Sequence, residues 1–486
     1  MDHKPGRGKG RKGLRPSGLG RNRQGGGRSA RSEAASREER PRLPGKDAPV
    51  RVLAARELDA MAERDTFIGL QAATRTGNPD RDRSVRDMVA GVVRWQRYLD
   101  FLIASFYKGD ADTLEPAMRT ILRIGLYGLL FSRQPDHAVL NETVEAAKMH
   151  VRPGAAGLTN GLLRSVLRKQ DALPEPEGSM AHRLSIRYSH PEWLVEQWLH
   201  QFGDDETEQL LAHNNQRPQY GLHLAGDVEQ ARKALQAAGI EYEPSALLPD
   251  MVRMKSLQSV VRGDWLDQGR AFVQDEGAAL VAGYAQPEEG SRILDLCAAP
   301  GGKTMQLAQA AGASGEVVAC DIQEKRLRLV AENAGRLGLD NVSTEARDAR
   351  DPDASWLGAF DVVLLDAPCS GLGVLSKRAD MRWRRSPKEI EEMVVLQRDM
   401  LAAAASCVRP GGLLVYSTCT TEPRENERQV EGFLETHREF SREPAPKGFP
   451  VQCLTEDGDY LSLPHHTGMD GAYAARLRRN PDRSGG

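Results

Sequence analysis

The stretch "DLCAAPGGKT", residues 295–304, is the strongest indication of the fold of the C-terminal half of this chain. A short apolar segment that suits a β-strand, residues 292–296, runs into it, and residues with helical periodicity follow it. Between them lie Gly301 and Gly302, and glycines placed just after a strand let the backbone approach a ligand closely. The stretch therefore predicts one unit of strand, ligand-binding loop and helix.

The same rhythm of strand, loop and helix continues to the end of the chain. Strands are predicted at 292–296, 316–320, 342–346, 361–365 and 412–417, with helical stretches between them. This alternation is typical of a parallel, doubly wound sheet. Ligands of such sheets bind where the carboxyl ends of the strands open into a crevice.

The chain of 486 residues is too long for one hydrophobic core, and its patterns divide it into four parts. Residues 1–49 form a basic, glycine-rich tail that is expected to be disordered. Residues 50–172 place apolar side chains at helical intervals and predict an all-α domain, in which Asp112, Asn141 and Thr159 are candidate helix starts. Residues 173–290 read as a connector and a small α+β subdomain, with strands near "YGLHLA" and "VVRGDW". Residues 291–480 form the α/β domain.

Composition excludes several classes of protein. Lys and Arg together number 66 and Asp and Glu 68, so the formal net charge is −2. No apolar run approaches the roughly 18 residues that cross a membrane. The N-terminus lacks the apolar core of a secretory signal. The six cysteines show no CxxC spacing, so neither a metal site nor a disulfide framework is expected. A cytoplasmic protein without membrane association is the natural interpretation.

Three kinds of ligand compete for the glycine-containing loop. A P-loop requires a glycine at the position of Cys297, and the dinucleotide fingerprint GxGxxG is absent. An adenosyl ligand without phosphates remains, and Asp321, about twenty residues further on at the end of the next strand, can accept bonds from both ribose hydroxyls. Asp348 follows the third strand and is placed for the adenine edge. A single Asp at a strand end is often only a helix cap. Here, however, three acids, Asp295, Asp321 and Asp348, lie at the ends of consecutive strands. S-adenosylmethionine is the ligand that fits them.

The fourth and fifth strands bring further chemistry to the same crevice. "FDVVLLDAPCSGLG" supplies Asp366 and Cys369, and "YSTCT" supplies Cys419. A thiolate that adds to carbon 6 of a pyrimidine makes carbon 5 nucleophilic enough to take a methyl group. An acid that hydrogen-bonds the ring lowers the barrier further, and Asp366 is placed for that role. The chemistry alone does not rank the two cysteines.

Taken together, "DLCAAPGGKT", "DAPCSGLG" and "YSTCT" resemble the Fmu/Sun family of RNA (cytosine-5)-methyltransferases. The resemblance covers residues 292–480 and ends in "DGAYAARLRR". "FVQDEGAAL", residues 272–280, looks like the stretch that precedes the first strand in that family and frames the RNA and cofactor site. The helical segments "PDHAVLNETVEAAK" and "GLTNGLLRSVLRK" resemble a NusB-type RNA-binding domain. This order of domains resembles the family members that act on small-subunit ribosomal RNA.

The resemblance implies a role for each matching residue. Cys419 corresponds to the nucleophile, Cys369 to the cysteine associated with product release, and Asp366 to the acid beside it. Asp321 and Asp348 correspond to the cofactor acids, with Asp366 also bordering the cofactor. The cofactor loop corresponds to Cys297, Ala298, Ala299, Pro300, Gly301, Gly302 and Lys303. The implied cofactor is S-adenosyl-L-methionine without a metal, the implied reaction forms 5-methylcytosine in 16S ribosomal RNA, and a monomer is expected.

Other functions remain open at this stage. The RNA substrate can be another RNA such as tRNA, or the chain can be a NusB-like RNA-binding protein with a vestigial catalytic domain. A methyltransferase for proteins or small molecules has no need of a nucleophilic thiol.

Arg164 and Arg168 on one predicted helix present a basic face to RNA. Arg382, Arg384 and Arg385 either contact RNA phosphates or form a solvated cluster.

Overall fold

The computed structural model describes residues 47–64 and 76–481. The predicted basic tail of residues 1–49 lies, up to residue 46, outside the described residues. No helix within the described ranges is long and apolar enough to cross a bilayer.

Six α-helices build the N-terminal part of the described chain. Asn78 caps the second of them by accepting bonds from two backbone N–H groups, and a proline occupies its first position. Gly125 allows close packing of the fourth helix on the next two, because a Cβ there would lie 2.8 Å from Leu163 and 2.9 Å from Thr143. The helices are α1 (Val50–Arg64), α2 (Pro79–Arg94), α3 (Gln96–Phe106), α4 (Pro116–Phe131), α5 (Asp136–His150) and α6 (Ala155–Leu167).

The three predicted helix starts in this part are wrong. Asn141 lies inside α5 and Thr159 inside α6, where its hydroxyl donates to the carbonyl of Ala155 one turn earlier. Such back-bonding lets a polar residue lie within a helix, so the polar residue did not mark the start of the helix. Asp112 lies in a single 3₁₀ turn, Ala111–Thr113, and α4 begins only at Pro116.

Three helices and a small sheet connect this part to the rest. The helices are α7 (Met180–Arg187), α8 (Glu192–Phe202) and α9 (Asp204–Asn214). An antiparallel sheet of order β2-β3-β1-β4 follows, with two helices beside it. Its elements are β1 (Tyr220–Leu224), α10 (Val228–Ala237), β2 (Glu243–Pro244), β3 (Met251–Met254), α11 (Gln258–Arg262) and β4 (Ala271–Val273).

One of the two strands predicted in this region is present and the other is wrong. "YGLHLA" forms β1, whereas "VVRGDW" begins inside α11. Val260 is buried while Val261 is exposed, which suits a strand, but the N–H of Val261 donates to the carbonyl of Leu257, as in a helix. Apolar runs this short do not distinguish the two structures.

The C-terminal half contains a large sheet flanked by helices. Its described strands run in the order β10-β12-β9-β8-β5-β6-β7, with β11 beside β12. The elements are α12 (Glu276–Ala285), β5 (Arg292–Leu296), α13 (Gly302–Ala311), β6 (Glu316–Asp321), α14 (Glu324–Leu337), β7 (Val342–Ala346), β8 (Phe360–Asp366), α15 (Pro387–Cys407), β9 (Val408–Thr418), α16 (Glu427–Thr436), β10 (Phe440–Arg442), β11 (Tyr460–Ser462), α17 (Pro464–Thr467) and β12 (Ala472–Arg479).

The five predicted strands are all present, but the sheet is mixed rather than wholly parallel. Strands β5 to β9 pair in parallel. The central residues of β5, β6, β8 and β9 are buried, which explains the nearly continuous apolar sequences of these four strands, whereas β7, at the edge of the sheet, is largely exposed. The last strand, β12, runs antiparallel to β9 and covers what would otherwise be an open edge. Because β5 has β6 on one side and β8 on the other, the order of strands reverses there, and the crevice opens at their carboxyl ends.

Candidate active site

The loop after β5 has a backbone that only small side chains tolerate. Gly301 has a φ of +104°, and a Cβ on it would lie 3.3 Å from Val330 of α14. A Cβ on Gly302 would lie 3.3 Å from the side chain of Gln274. Cys297 also has a positive φ, of +62°, and burial raises the pKa of its thiol well above the ordinary value. The loop therefore forms a tight floor at the carboxyl end of β5, and Cys297 is a neutral part of it.

Asp321, at the end of β6, is nearly covered, with 3% of its side chain exposed. One oxygen accepts a bond from the N–H of Gln323, at 2.9 Å, and the other from the N–H of Ala299, at 3.3 Å. Arg326 lies 3.5 Å from the second oxygen. Each carboxylate oxygen has two lone pairs, so both keep one acceptor position for a ligand.

The other two strand-end acids differ in environment. Asp348 is partly exposed and holds a bidentate pair with Arg350, whose hydrogen bonds lower the pKa of the carboxyl. Asp295 is fully buried, and burial raises its pKa to about 7. One of its oxygens accepts from the hydroxyl of Thr304 at 2.6 Å, while Oδ1 has no hydrogen-bond partner within the described residues. That oxygen is a buried acceptor at the end of β5.

Lys303 and Asp366 connect the first loop to the end of β8. The Nζ of Lys303 donates to Oδ2 of Asp366 at 2.6 Å, and the hydroxyl of Ser417 donates to Oδ1 at 2.9 Å. Burial opposes the charge of Lys303, but Asp366 outweighs burial and raises the pKa of the ammonium. Asp366 is therefore an acceptor held beside a cation.

The structure brings the two candidate cysteines together. The Sγ atoms of Cys369 and Cys419 are 3.4 Å apart, and the N–H of Cys419 also points to the sulfur of Cys369. Cys419 is exposed and Cys369 is half-buried. Hydrogen bonding to Cys419, and then burial, raise the pKa of Cys369 well above the ordinary value for a thiol. Of the pair, Cys419 is the more accessible thiol.

A buried polar network, which was not predicted from the sequence, fixes the two cysteine-bearing loops. Glu425 accepts from the N–H of Ser370 at 2.8 Å, and Ser370 shares a hydroxyl bond of 2.7 Å with Thr420. Asn426 accepts from the hydroxyl of Thr418 and donates to the carbonyl of Thr420. The signal available in the sequence was the polar run "ENE", residues 425–427, which closely follows "STCT". In the structure its first two residues, Glu425 and Asn426, are buried, whereas an ordinary loop would leave them in solvent.

A second residue that was not predicted lies next to Asp321. Ile322 is 66% exposed, an unusual state for a large apolar side chain directly after a buried strand. It offers an apolar surface at the carboxyl end of β6. The signal in sequence was the apolar residue directly after the acid in "VVACDI".

The segment after Cys369 joins the site to the helical domain. Arg94 at the end of α2 donates to the carbonyl of Ser376 at 2.7 Å, and the indole N–H of Trp383 donates to the carbonyl of Val93 at 2.8 Å. Arg382 is 0% exposed and donates to Asn215 at 2.8 Å. The helices before residue 215 are therefore anchored on a catalytic-domain loop.

Both interpretations of Arg382 from the sequence, a contact with RNA phosphates and a place in a solvated cluster, are therefore wrong. Its guanidinium also donates to the carbonyls of Ser189 and Asn214, both at 3.1 Å, and reaches no solvent. Arg385 is half-buried and donates to the carbonyl of Ser370 at 2.8 Å. Arg384 is partly exposed. A basic run in sequence does not reveal which of its members the tertiary structure buries.

Comparison with known proteins identifies three families along the chain. Residues 282–478 match the model described as 16S rRNA methyltransferase RsmB/F. Residues 48–168 match the NusB family, and residues 190–261 match the ferredoxin-like domain of RsmF/B-like methyltransferases.

Relatives and solved structures agree with these matches. A probable ribosomal RNA small subunit methyltransferase B from Bacillus subtilis is 32% identical over 414 residues, which are 82% of this chain and 91% of the relative. Ribosomal RNA small subunit methyltransferase B from Pectobacterium atrosepticum is 36% identical over 408 residues, with the same coverage. The crystal structure of PH0851 matches with a TM-score of 0.73 and 26% identity, covering 89% of this chain and 99% of that one. NSun6 from Pyrococcus horikoshii, solved with SFG, matches in fold with a TM-score of 0.53 and 24% identity, covering 60% and 99%.

Proposed function

The chain belongs to the family of ribosomal RNA small subunit methyltransferases B, and we propose that it transfers a methyl group from S-adenosylmethionine to carbon 5 of a cytosine in 16S ribosomal RNA. The observation that carries this proposal is the 3.4 Å pair of sulfurs, Cys369 and Cys419, at the mouth of the crevice. Methylation of a protein amine or of a hydroxyl needs no thiol, because those acceptors are already nucleophilic. A pyrimidine carbon 5 needs one.

Cys419 is the proposed nucleophile because it is the exposed member of the pair. Its thiolate forms a bond to carbon 6, and the ring electrons move so that carbon 5 becomes nucleophilic. S-adenosylmethionine supplies the electrophilic methyl group to carbon 5, and its methyl–sulfur bond breaks so that S-adenosylhomocysteine leaves with the electron pair. Loss of the proton from carbon 5 then restores the double bond, and the carbon–sulfur bond breaks with its electron pair returning to Cys419.

Cys369 is proposed to act in the second half of the reaction. Its sulfur lies beside the atom whose bond to the base must break. Its raised pKa keeps it as a thiol while Cys419 attacks, so the two sulfurs do not compete for carbon 6. As a thiol it can hydrogen-bond to the departing thiolate of Cys419 and assist product release.

Asp366 and Lys303 are proposed to orient the base. Because Asp366 already accepts from Lys303 and Ser417, it acts as an acceptor and suits the exocyclic amine of cytosine. The ammonium of Lys303 places a positive charge where electron density enters the ring. This refines the sequence expectation, in which Asp366 acted simply as an acid.

The residues of the crevice fit S-adenosylmethionine. Asp321 keeps acceptor positions for the ribose hydroxyls, and the unpartnered Oδ1 of Asp295 suits the ammonium group of the amino acid moiety. The exposed Ile322 offers an apolar surface for adenine, with Asp348 beyond it at the next strand end. The loop from Cys297 to Lys303 packs closely against Val330 and Gln274 because Gly301 and Gly302 carry no side chain, and its backbone is proposed to lie along the cofactor.

The domains are proposed to divide the work. Residues 50–172 contribute RNA affinity, with Arg164 and Arg168 exposed on and just after α6. Residues 173–290 join them to the catalytic residues 291–480. The protein is proposed to act as a monomer in the cytoplasm, where ribosomal RNA is the substrate.

The test is a methylation assay with purified protein, labelled S-adenosylmethionine and three RNAs: 16S ribosomal RNA, 23S ribosomal RNA and tRNA. The expected result is 5-methylcytosine at a defined position of 16S RNA only. Bisulfite sequencing of ribosomal RNA from cells with and without the gene should find the same position. Methylation of tRNA alone would mean that tRNA, and not 16S ribosomal RNA, is the substrate. If no RNA is methylated, the proposal is overturned.

A further inference from the structure

Two histidines and a glutamate meet at a place remote in sequence from the catalytic motifs. Glu206 lies on α9 of the connector, while His465 and His466 lie on α17 of the catalytic domain. The Nε2 atoms of His465 and His466 lie 2.6 and 2.5 Å from the same oxygen of Glu206. Their ligand-type atoms all lie within 4.8 Å of one another.

The arrangement suits a cation better than it suits a simple hydrogen-bonded cluster. Two adjacent residues turn both rings towards one carboxylate oxygen, with ring centroids 4.3 Å apart. The side chain of His465 is 1% exposed, and its Nδ1 has no partner within the described residues, so Glu206 is the only polar group that holds this ring there.

We propose that Glu206, His465 and His466 bind a divalent transition-metal ion of the zinc type. Two imidazole nitrogens and one carboxylate oxygen are a donor set that Zn²⁺ accepts in tetrahedral geometry, with water in the fourth position. Zn–N bonds of about 2.0–2.1 Å place tetrahedral ligands about 3.3 Å apart, so the carboxylate must withdraw by roughly 0.8 Å. Glu206 and His466 are partly exposed, which permits this movement and leaves a path for the ion and the water.

The ion would have a structural role rather than a part in methyl transfer. It would join α9 to the segment that leads from α17 to Gly471. Gly471 donates to the carbonyl of Gly373 at 2.8 Å, and Gly373 donates to the carbonyl of Cys419 at 3.1 Å. Metal binding is thereby expected to stabilise the packing behind the nucleophile loop. No metal was expected from the sequence because the cysteine spacings indicate none, and Glu206 is 259 residues from His465.

The test measures metal binding itself, on full-length protein without a histidine tag. Because Cys369 and Cys419 are a competing soft-metal site, the parent is the double variant Cys369→Ser, Cys419→Ser. Calorimetric titration with Zn²⁺ is expected to show one equivalent bound, and Co²⁺ is expected to give the visible absorption of a tetrahedral nitrogen–oxygen site. In this background, His466→Ala and Glu206→Gln should each weaken binding at least tenfold. His200→Ala, which removes an exposed histidine of α8, should leave it unchanged.

A thermal measurement gives a second readout. Zn²⁺ should raise the melting temperature of the parent and of the His200→Ala control, but not that of the His466→Ala variant. Circular dichroism without metal checks that each variant is folded, and His466 is exposed enough for its replacement to be tolerated. The proposal is overturned if the parent binds no metal, or if metal binding survives in the folded His466→Ala and Glu206→Gln variants.

Discussion

The sulfur of Cys369 lies 3.4 Å from the sulfur of Cys419, although the two residues are 50 positions apart in the chain. They meet because β8 and β9 are parallel neighbours, with Asp366 opposite Ser417, so that the loops after both strands start at the same edge of the sheet. Glu425 and the Ser370–Thr420 bond then hold these loops in contact. The pair is therefore fixed by the sheet and by buried hydrogen bonds.

Replacement of each cysteine should produce a different failure. Cys419→Ala should abolish methylation while cofactor and RNA still bind, because only the covalent step is lost. Cys369→Ala should let the base be attacked and methylated, and should then stall, so that a protein–RNA adduct accumulates. Denaturing gel electrophoresis after incubation with RNA and S-adenosylmethionine would reveal the adduct, which should be absent in the double variant. Reversed behaviour of the two single variants would reverse the assignment of nucleophile.

Asp321→Ala should weaken S-adenosylmethionine binding by at least about tenfold. Hydrogen bonds to a charged group are worth about 1.5–3 kcal/mol each, and the carboxylate is expected to accept two from the ribose. Calorimetry measures the affinity. Asp340→Ala removes an exposed acid of the same domain and serves as the matched control. An unchanged affinity in Asp321→Ala would remove this residue from the cofactor site.

The double change Arg164→Ala, Arg168→Ala should weaken RNA binding without changing the affinity for S-adenosylmethionine. Both side chains are exposed, and each arginine–phosphate ion pair contributes about 0.7–0.9 to the slope of log affinity against log salt, so the double change should reduce the slope by about 1.4–1.8. Filter binding at several salt concentrations measures this slope. Arg328→Ala, which removes an exposed charge from α14, should leave the slope unchanged. Equal slopes for the double variant and the wild-type protein would place the RNA-binding face elsewhere.

Arg382→Ala should destabilise the protein by more than about 3 kcal/mol, because it strips several buried carbonyls of their donor. Trp383→Phe removes only the bond to the carbonyl of Val93 and should cost about 0.5–1.5 kcal/mol. Urea unfolding measures both effects. The exposed Arg378 is the control, and its replacement by Ala should stay within about 0.5 kcal/mol. A similarly small effect of Arg382→Ala would contradict the anchoring role.

Asp295→Asn should change how stability depends on pH. The folded protein raises the pKa of Asp295 to about 7, above the ordinary 3.8, so the native state holds this proton more tightly than the unfolded state. Its contribution is therefore present at low pH and is lost as pH rises towards 7. Relative to Asp295→Asn, the wild-type protein should lose roughly 2–3 kcal/mol between pH 5 and pH 8. Parallel pH profiles in urea unfolding would show that the carboxyl is already ionised at pH 5.

The five parallel strands of the C-terminal half and the motifs at their carboxyl ends could be predicted from the sequence. Four of these strands, β5, β6, β8 and β9, are buried, so their apolar runs are nearly continuous and easily located, and the strand-end motifs carry Asp321, Asp366 and Cys419. Local signals were weaker where polar residues sit inside helices, as Asn141 and Thr159 do. They also failed at "VVRGDW", where two adjacent valines suit a helix or a strand equally.

The packing of the folded chain, and no local signal, shows which side chains are brought together or buried across the domains. Arg382 belongs to a basic run that suggests solvent or RNA, yet the packing of the helices before residue 215 encloses it. The antiparallel strand β12 covers an edge of the sheet. Glu425 links the two cysteine loops, and Glu206 meets His465, so both contacts join residues distant in sequence. Such contacts depend on how whole elements dock, and periodicity and motifs describe only one element at a time.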